Sequence, residues 1–73
     1  MSTPAHRVSI KPADVGKRVT VQYFTQEGAR REAVGFLEHA VVVEGEVVFH
    51  IRKKDDSLVK VPLRSVRAGK VVG

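Results

Sequence analysis

The chain has 73 residues, a formal net charge of +5 and no cysteine. One domain of this length buries only about 60–65% of its unfolded surface, and the lack of cysteine excludes disulfides and thiolate metal sites. No segment approaches the roughly 18 apolar residues of a membrane span, so we expect a soluble, cytoplasmic protein without a membrane partner.

The N-terminal residues carry weak structural signals. We expect residues 1–10 to be a loose tail with a short edge strand at Val8–Ile10, and residues 11–73 to form the folded domain. Pro12 lacks a backbone donor and ends that edge strand. The segment Lys11–Gly16 is typical of a single turn of 3₁₀ type.

Short valine-rich segments with period-two alternation make up the rest of the chain. They predict strands at Arg18–Phe24, Glu32–Val43, Glu46–Lys53, Leu58–Val61 and Arg67–Val72. Turns are predicted at Glu44–Gly45 and Lys53–Ser57, and one helical turn at Pro62–Val66. Because short strands bury their apolar faces by closing on themselves, the predicted fold is all-β, a small five-stranded antiparallel barrel.

The alternation also predicts which side chains form the core. The expected core residues are Val19, Val21, Tyr23, Val34, Phe36, Val47, Phe49, Ile51, Val59, Val61 and Val66. Gly35 lies inside a predicted strand, where glycine usually marks a bulge or a bend. Phe24 is the one aromatic residue that we expect to be exposed.

Three stretches occur in an order and spacing that resembles a known family. They are GKRVTVQY at Gly16–Tyr23, AVGFL at Ala33–Leu37 and VKVPLRSVRAGKVV at Val59–Val72. Together they are similar to the SH3-like barrel at the N-terminus of actinobacterial GNAT-type N-acetyltransferases. The resemblance implies an SH3-like barrel with a 3₁₀ turn before the last strand, acting as an accessory domain. Its partner would be an adjoining catalytic domain or another protein.

The same resemblance implies no enzymatic activity for this chain. The acetyl-CoA-binding loop and the catalytic residues of the family belong to a domain that these 73 residues do not contain. No serine stands in a glycine-framed nucleophile motif, and Asp55–Asp56 is typical of a turn. We therefore expect a non-catalytic monomer without a cofactor.

A second similarity favours an alternative function. Val15–Val21, followed by a basic loop and Val34–Gly35, is similar to the strand–loop–strand element of ribosomal and transcription-factor barrels that bind RNA. Basic residues that converge on one face can follow a phosphate backbone. The candidate nucleic-acid-binding residues are Lys17, Arg18, Arg30, Arg31, Arg52, Lys53 and Lys54. Acidic neighbours and the scarcity of exposed rings favour the competing interpretation, a solvated basic face.

Two histidines raise the question of a metal site. The predicted turn at Glu44–Gly45 places His39 and His50 at comparable distances from the hairpin tip, so we expect them to approach each other. With Glu38 they would provide three ligands. Outward histidines on paired strands are more often surface residues, and we predict no metal.

Overall fold

A computed structural model describes residues 8–72, which form one five-stranded antiparallel sheet. Its strands are β1 (Arg18–Phe24), β2 (Arg30–Val43), β3 (Glu46–Lys53), β4 (Leu58–Pro62) and β5 (Val66–Val71), with 3₁₀ turns at Pro12–Asp14 and Leu63–Ser65. The order across the sheet is β4-β3-β2-β1-β5. The prediction of an all-β, five-stranded antiparallel fold is confirmed. The sheet is not closed, because β4 and β5 lie at opposite ends of this order.

The longest strand, β2, connects the two parts of the sheet. Its first half pairs with β1 and its second half pairs with β3. The pairing with β3 shifts between Leu37 and His39, which leaves Glu38 as the extra residue of a bulge. A bulge increases local twist and lets a long strand bend. The sequence predicts a bulge or a bend at Gly35, and the bulge lies three residues further along the strand, at Glu38.

Gly35 has a different structural role. A side chain at this position would overlap the backbone carbonyl group of Arg52 on the neighbouring strand. The absence of a Cβ atom therefore allows β2 and β3 to approach each other closely before the bulge.

The core lies on one face of the sheet. Its buried hydrophobic residues are Ile10, Val19, Val21, Ala33, Leu37, Phe49, Ile51 and Val61. Tyr23, Val47, Val59 and Val66 are partly buried and contact this cluster. Nine of the eleven predicted core residues are thus confirmed as core or core-lining.

Two predicted core residues, Val34 and Phe36, lie on the opposite face and are each 48% exposed. The pairing of β1 with β2 places Gly35 opposite the buried Val19, so the side chains on either side of the glycine point outward. A shift of one residue exchanges the two faces of a strand. The core prediction was wrong for these two residues because both faces of β2 carry apolar residues, and alternation alone does not show which face is buried.

Asp14, which is 5% exposed, stabilises the first 3₁₀ turn. Its carboxylate accepts a hydrogen bond from the Lys11 backbone N–H (2.9 Å) and one from Lys17 Nζ (3.2 Å). These bonds, the backbone one first, hold the pKa of Asp14 below its ordinary value. The Gly16 N–H donates to the Leu37 carbonyl at 2.7 Å and joins the turn to β2.

The first described residues of the chain lie against β5. Val8 forms a parallel bridge to Gly69, the Ser9 N–H donates to the Gly69 carbonyl at 2.7 Å, and Ile10 is buried. The predicted loose tail at residues 1–7 lies outside the described residues. Within residues 8–72, no helix is long and apolar enough to cross a membrane.

Candidate functional site

The outward face of the sheet carries a groove of about 430 Å³ in which apolar and cationic side chains meet. We call it the outer groove. Its lining residues are Arg18, Val34, Gly35, Phe36, Arg52, Lys53 and Lys54. Four of the seven predicted nucleic-acid-binding residues, Arg18, Arg52, Lys53 and Lys54, therefore lie together. The sequence prediction did not include Val34 and Phe36, because it placed them in the core.

The register of the sheet builds the centre of this groove. Phe36 on β2 lies opposite Arg18 on β1 and opposite Arg52 on β3. Neighbouring strands are about 4.8 Å apart, so these residues form a row across three strands with the ring in the middle. Leu58 on β4, opposite Arg52, extends the row at one end. An aromatic side chain is thus flanked by an arginine on each side.

Phe36 is also in direct contact with one of these arginines. The guanidinium carbon of Arg18 lies 5.4 Å from the ring centroid, which is a cation–π distance. About half of the Phe36 surface remains open to solvent. The ring therefore offers an apolar surface at the centre of a cationic site.

The charge of Arg52 is largely compensated within the protein. Its Nε and one terminal nitrogen donate to the two carboxylate oxygens of Glu38 at 2.9 and 3.0 Å, and the other terminal nitrogen donates to the Asp56 carbonyl at 3.0 Å. The hydrogen bond from Arg52 lowers the pKa of Glu38. Arg52 thus joins the bulge of β2 to the turn between β3 and β4, and its main role is structural.

The uncompensated charge of the groove comes from the other three cations. Arg18, Lys53 and Lys54 form no salt bridge within the described part of the chain. No carboxylate lines the groove. The outer groove is consequently a positively charged site that can hold an anionic group beside an apolar ring.

The remaining predicted binding residues lie elsewhere. Lys17 is in a salt bridge with Asp14. Arg30 and Arg31 pair with Phe24 and Tyr23 at the tip of the β1–β2 hairpin. They are five and six residues from Phe36 along β2, which corresponds to about 17–20 Å. Phe24 is 37% exposed, as predicted, and Arg67 lies 6.0 Å from its ring centroid. The seven residues thus do not form a single face.

The two histidines meet on the outward face, as predicted. Their ring centroids are 5.9 Å apart in an edge-to-face arrangement, and Lys60 on β4 lies opposite His50. Glu38, the third member of the hypothetical metal set, is bonded to Arg52. Among the residues that the structure describes, no group of three or more His, Cys, Asp or Glu residues is arranged to hold a metal ion.

The environment of His50 predicts a pH-dependent stability. Burial, then the positive charges of Lys60 and His39, lower its pKa from the ordinary value of 6.5, and Glu38 opposes this weakly. Because protonation then favours the unfolded chain, the stabilisation is complete above pH 6.5 and declines as the pH falls through the lowered pKa. We expect His50→Gln to flatten the dependence of the free energy of unfolding on pH between 7 and 5.

Urea unfolding of the wild-type chain and of each variant at pH 7, 6 and 5 measures this effect. His39→Gln is the matched control, and it should keep most of the wild-type slope because the burial of His50 and its proximity to Lys60 remain. Equal slopes for the wild-type chain and His50→Gln would contradict the assignment to His50.

A second exposed apolar surface lies at the tip of the β2–β3 hairpin. Val42 and Val43 are 69% and 51% exposed, and the hairpin extends there beyond the core. The residues that flank the tip, Glu44 and Glu46, are acidic, in contrast to the cations of the outer groove.

The outer groove was detectable in the sequence only in part. Its cations stand out by charge, but the exposure of Phe36 follows from the pairing of β2 with β1, which places Ala33, Gly35 and Leu37 on the core face of the sheet. Comparison with protein-family models, with curated proteins and with solved structures found no match to this chain. The site is therefore interpreted from its own geometry.

Proposed function

We propose that this chain is a non-catalytic, cytoplasmic interaction domain with an SH3-like barrel fold, and that it binds its partner through the outer groove. The observation that carries the proposal is the position of Phe36. It is 48% exposed in the middle of a strand, beside Arg18, which it contacts, and near two lysines that have no carboxylate partner in the described residues. Aromatic and arginine side chains are enriched at the centres of binding sites.

The groove is separate from the part of the molecule that maintains the fold. The core fills the opposite face of the sheet, and Val34 and Phe36 contribute little to it. Exposed apolar residues that a domain does not need for folding are a common feature of binding surfaces. The similarity of the sequence to the accessory module of GNAT-type acetyltransferases supports the same general role.

Site-specific photo-crosslinking tests the proposal. The chain carries two exposed phenylalanines on the outward face, each beneath an arginine, and only Phe36 lies in the groove. We expect p-benzoylphenylalanine at position 36 to give a discrete adduct in the cells that make the protein. The same residue at position 24 is the matched control and should give none.

Two further results decide the outcome. Lys54→Glu, in the chain that carries the crosslinker at position 36, should abolish the adduct by repelling an anionic partner. Absence of an adduct at position 36, or equal adducts at both positions, would contradict the assignment of the outer groove as the binding surface.

A further inference from the structure

On the basis of the proposed function, we infer that the ligand of the outer groove is single-stranded nucleic acid, with a base stacked on Phe36 and phosphates held by Arg18, Lys53 and Lys54. Phe36 provides the first part of this site. Unpaired bases stack on aromatic side chains that stand on the face of a β-sheet, and every base has a flat face suited to such contact. The half-exposed ring in the middle of β2 offers this surface.

The arrangement of charge provides the second part. Arg18 and Arg52 lie on either side of Phe36, two strand spacings or about 10 Å apart. Lys53 and Lys54 line the same groove at the end of β3. Because Arg52 is bonded to Glu38, a nucleotide whose base covers the ring has its phosphates within reach of the other cations, Arg18 on β1 and Lys53 and Lys54 at the end of β3.

One more cation lies beyond the groove, next to a carboxylate. Val34 lies opposite Thr20 on β1, and Thr20 lies opposite Lys70 on β5. Thr20 also donates a hydrogen bond to Glu32 at 3.5 Å, so the next row across the sheet carries a negative as well as a positive charge. The inferred binding site is therefore confined to the outer groove.

The geometry favours a single strand over a duplex. The bases of a duplex are stacked on one another and offer no free face to Phe36, so a duplex would contact only the cations. An acidic peptide is the main rival ligand, since it satisfies the same charges. A peptide does not carry a flat ring next to each of its negative charges, whereas a nucleotide does, and Phe36 beside Arg18 can bind a ring and a negative charge together.

Fluorescence anisotropy with labelled eight-nucleotide oligo-dT and oligo-U tests the inference. The comparison ligands are a duplex of the same length and a peptide rich in glutamate and phenylalanine. We expect the single strands to bind at least about tenfold more tightly than the duplex. With three phosphates neutralised, a tenfold rise in salt should weaken single-strand binding about 100-fold.

Matched variants assign the binding to the groove. Phe36→Ala should weaken single-strand binding at least about tenfold, by the loss of one stacked base, whereas Phe24→Ala should leave it unchanged. The double variant Lys53→Ala/Lys54→Ala should reduce the salt dependence. The double variant Arg30→Ala/Arg31→Ala removes the same charge at the tip of the β1–β2 hairpin and should leave the salt dependence unchanged. Urea unfolding curves establish that each variant is folded.

The possible results separate this inference from the proposed function. Equal binding of single strands and duplex with no effect of Phe36→Ala would overturn the inference in favour of unspecific attraction between charges. Groove-dependent binding of the peptide alone would overturn it and leave the proposed function standing. No binding of any ligand would also overturn it, and the crosslinking experiment would then decide whether the groove binds a partner at all.

Discussion

Phe49→Asp should unfold the domain, whereas Phe36→Asp should leave it folded. Phe49 is 1% exposed and is one of the largest side chains of the core. Loss of a buried phenylalanine costs about 3–5 kcal/mol, and an unpaired buried carboxylate adds several more. Small domains have a total stability near the lower end of about 5–15 kcal/mol, so the variant has no stable folded state.

Phe36 is the matched control because it is the same residue type on the neighbouring strand and faces solvent. Circular dichroism and urea unfolding of both variants measure the difference. A folded, cooperatively unfolding Phe49→Asp variant would show that β3 has the opposite register. An unfolded Phe36→Asp variant would show that β2 has the opposite register. Phe36 would then be a core residue, and the outer groove would lose its central side chain.

Gly35→Ala should destabilise the domain by about 1–3 kcal/mol or more, although it adds a single methyl group. That group would overlap the backbone carbonyl of Arg52, and a backbone atom cannot rotate away as a side chain can. The two strands must separate where they form the floor of the outer groove. We therefore expect a lower urea midpoint together with shifts of the amide signals of Arg52 and Lys53.

Gly69→Ala is the control for this substitution. A Cβ atom at position 69 would lie 3.0 Å from Cδ1 of Ile10, the flexible end of a side chain. The contact can be relieved by a small rotation, so the loss of stability should be clearly smaller. If the two alanine variants have the same urea midpoint, the close approach of β2 and β3 is not the reason for glycine at position 35.

Much of the fold follows from local sequence patterns. The bounds predicted for β1 and β3 agree with the structure, and both hairpin turns lie where the turn residues indicate. Glu44 and Gly45 both have positive φ, as a two-residue hairpin turn requires. These features depend on interactions between residues that are close in the sequence, so they can be predicted from local residue types and their spacing.

The orientation of β2 could not be predicted in this way. Both of its faces carry apolar residues, so alternation alone does not decide which face is inside. The choice depends on pairing with β1, where the small residues Ala33 and Gly35 lie opposite Val21 and Val19. The candidate site depends on the same long-range register, because the register exposes Phe36 and places it between Arg18 and Arg52.

The open edges of the sheet bear on the tendency of this valine-rich chain to aggregate. Unpaired strand edges are templates for the growth of intermolecular sheets. Here β5 is already engaged at Gly69 by Val8 and Ser9, while β4 carries the charged Lys60 and ends in Pro62, which has no N–H to offer an incoming strand. We therefore expect the short segment before the first 3₁₀ turn to hinder fibrillar aggregation as well as to form a part of the fold.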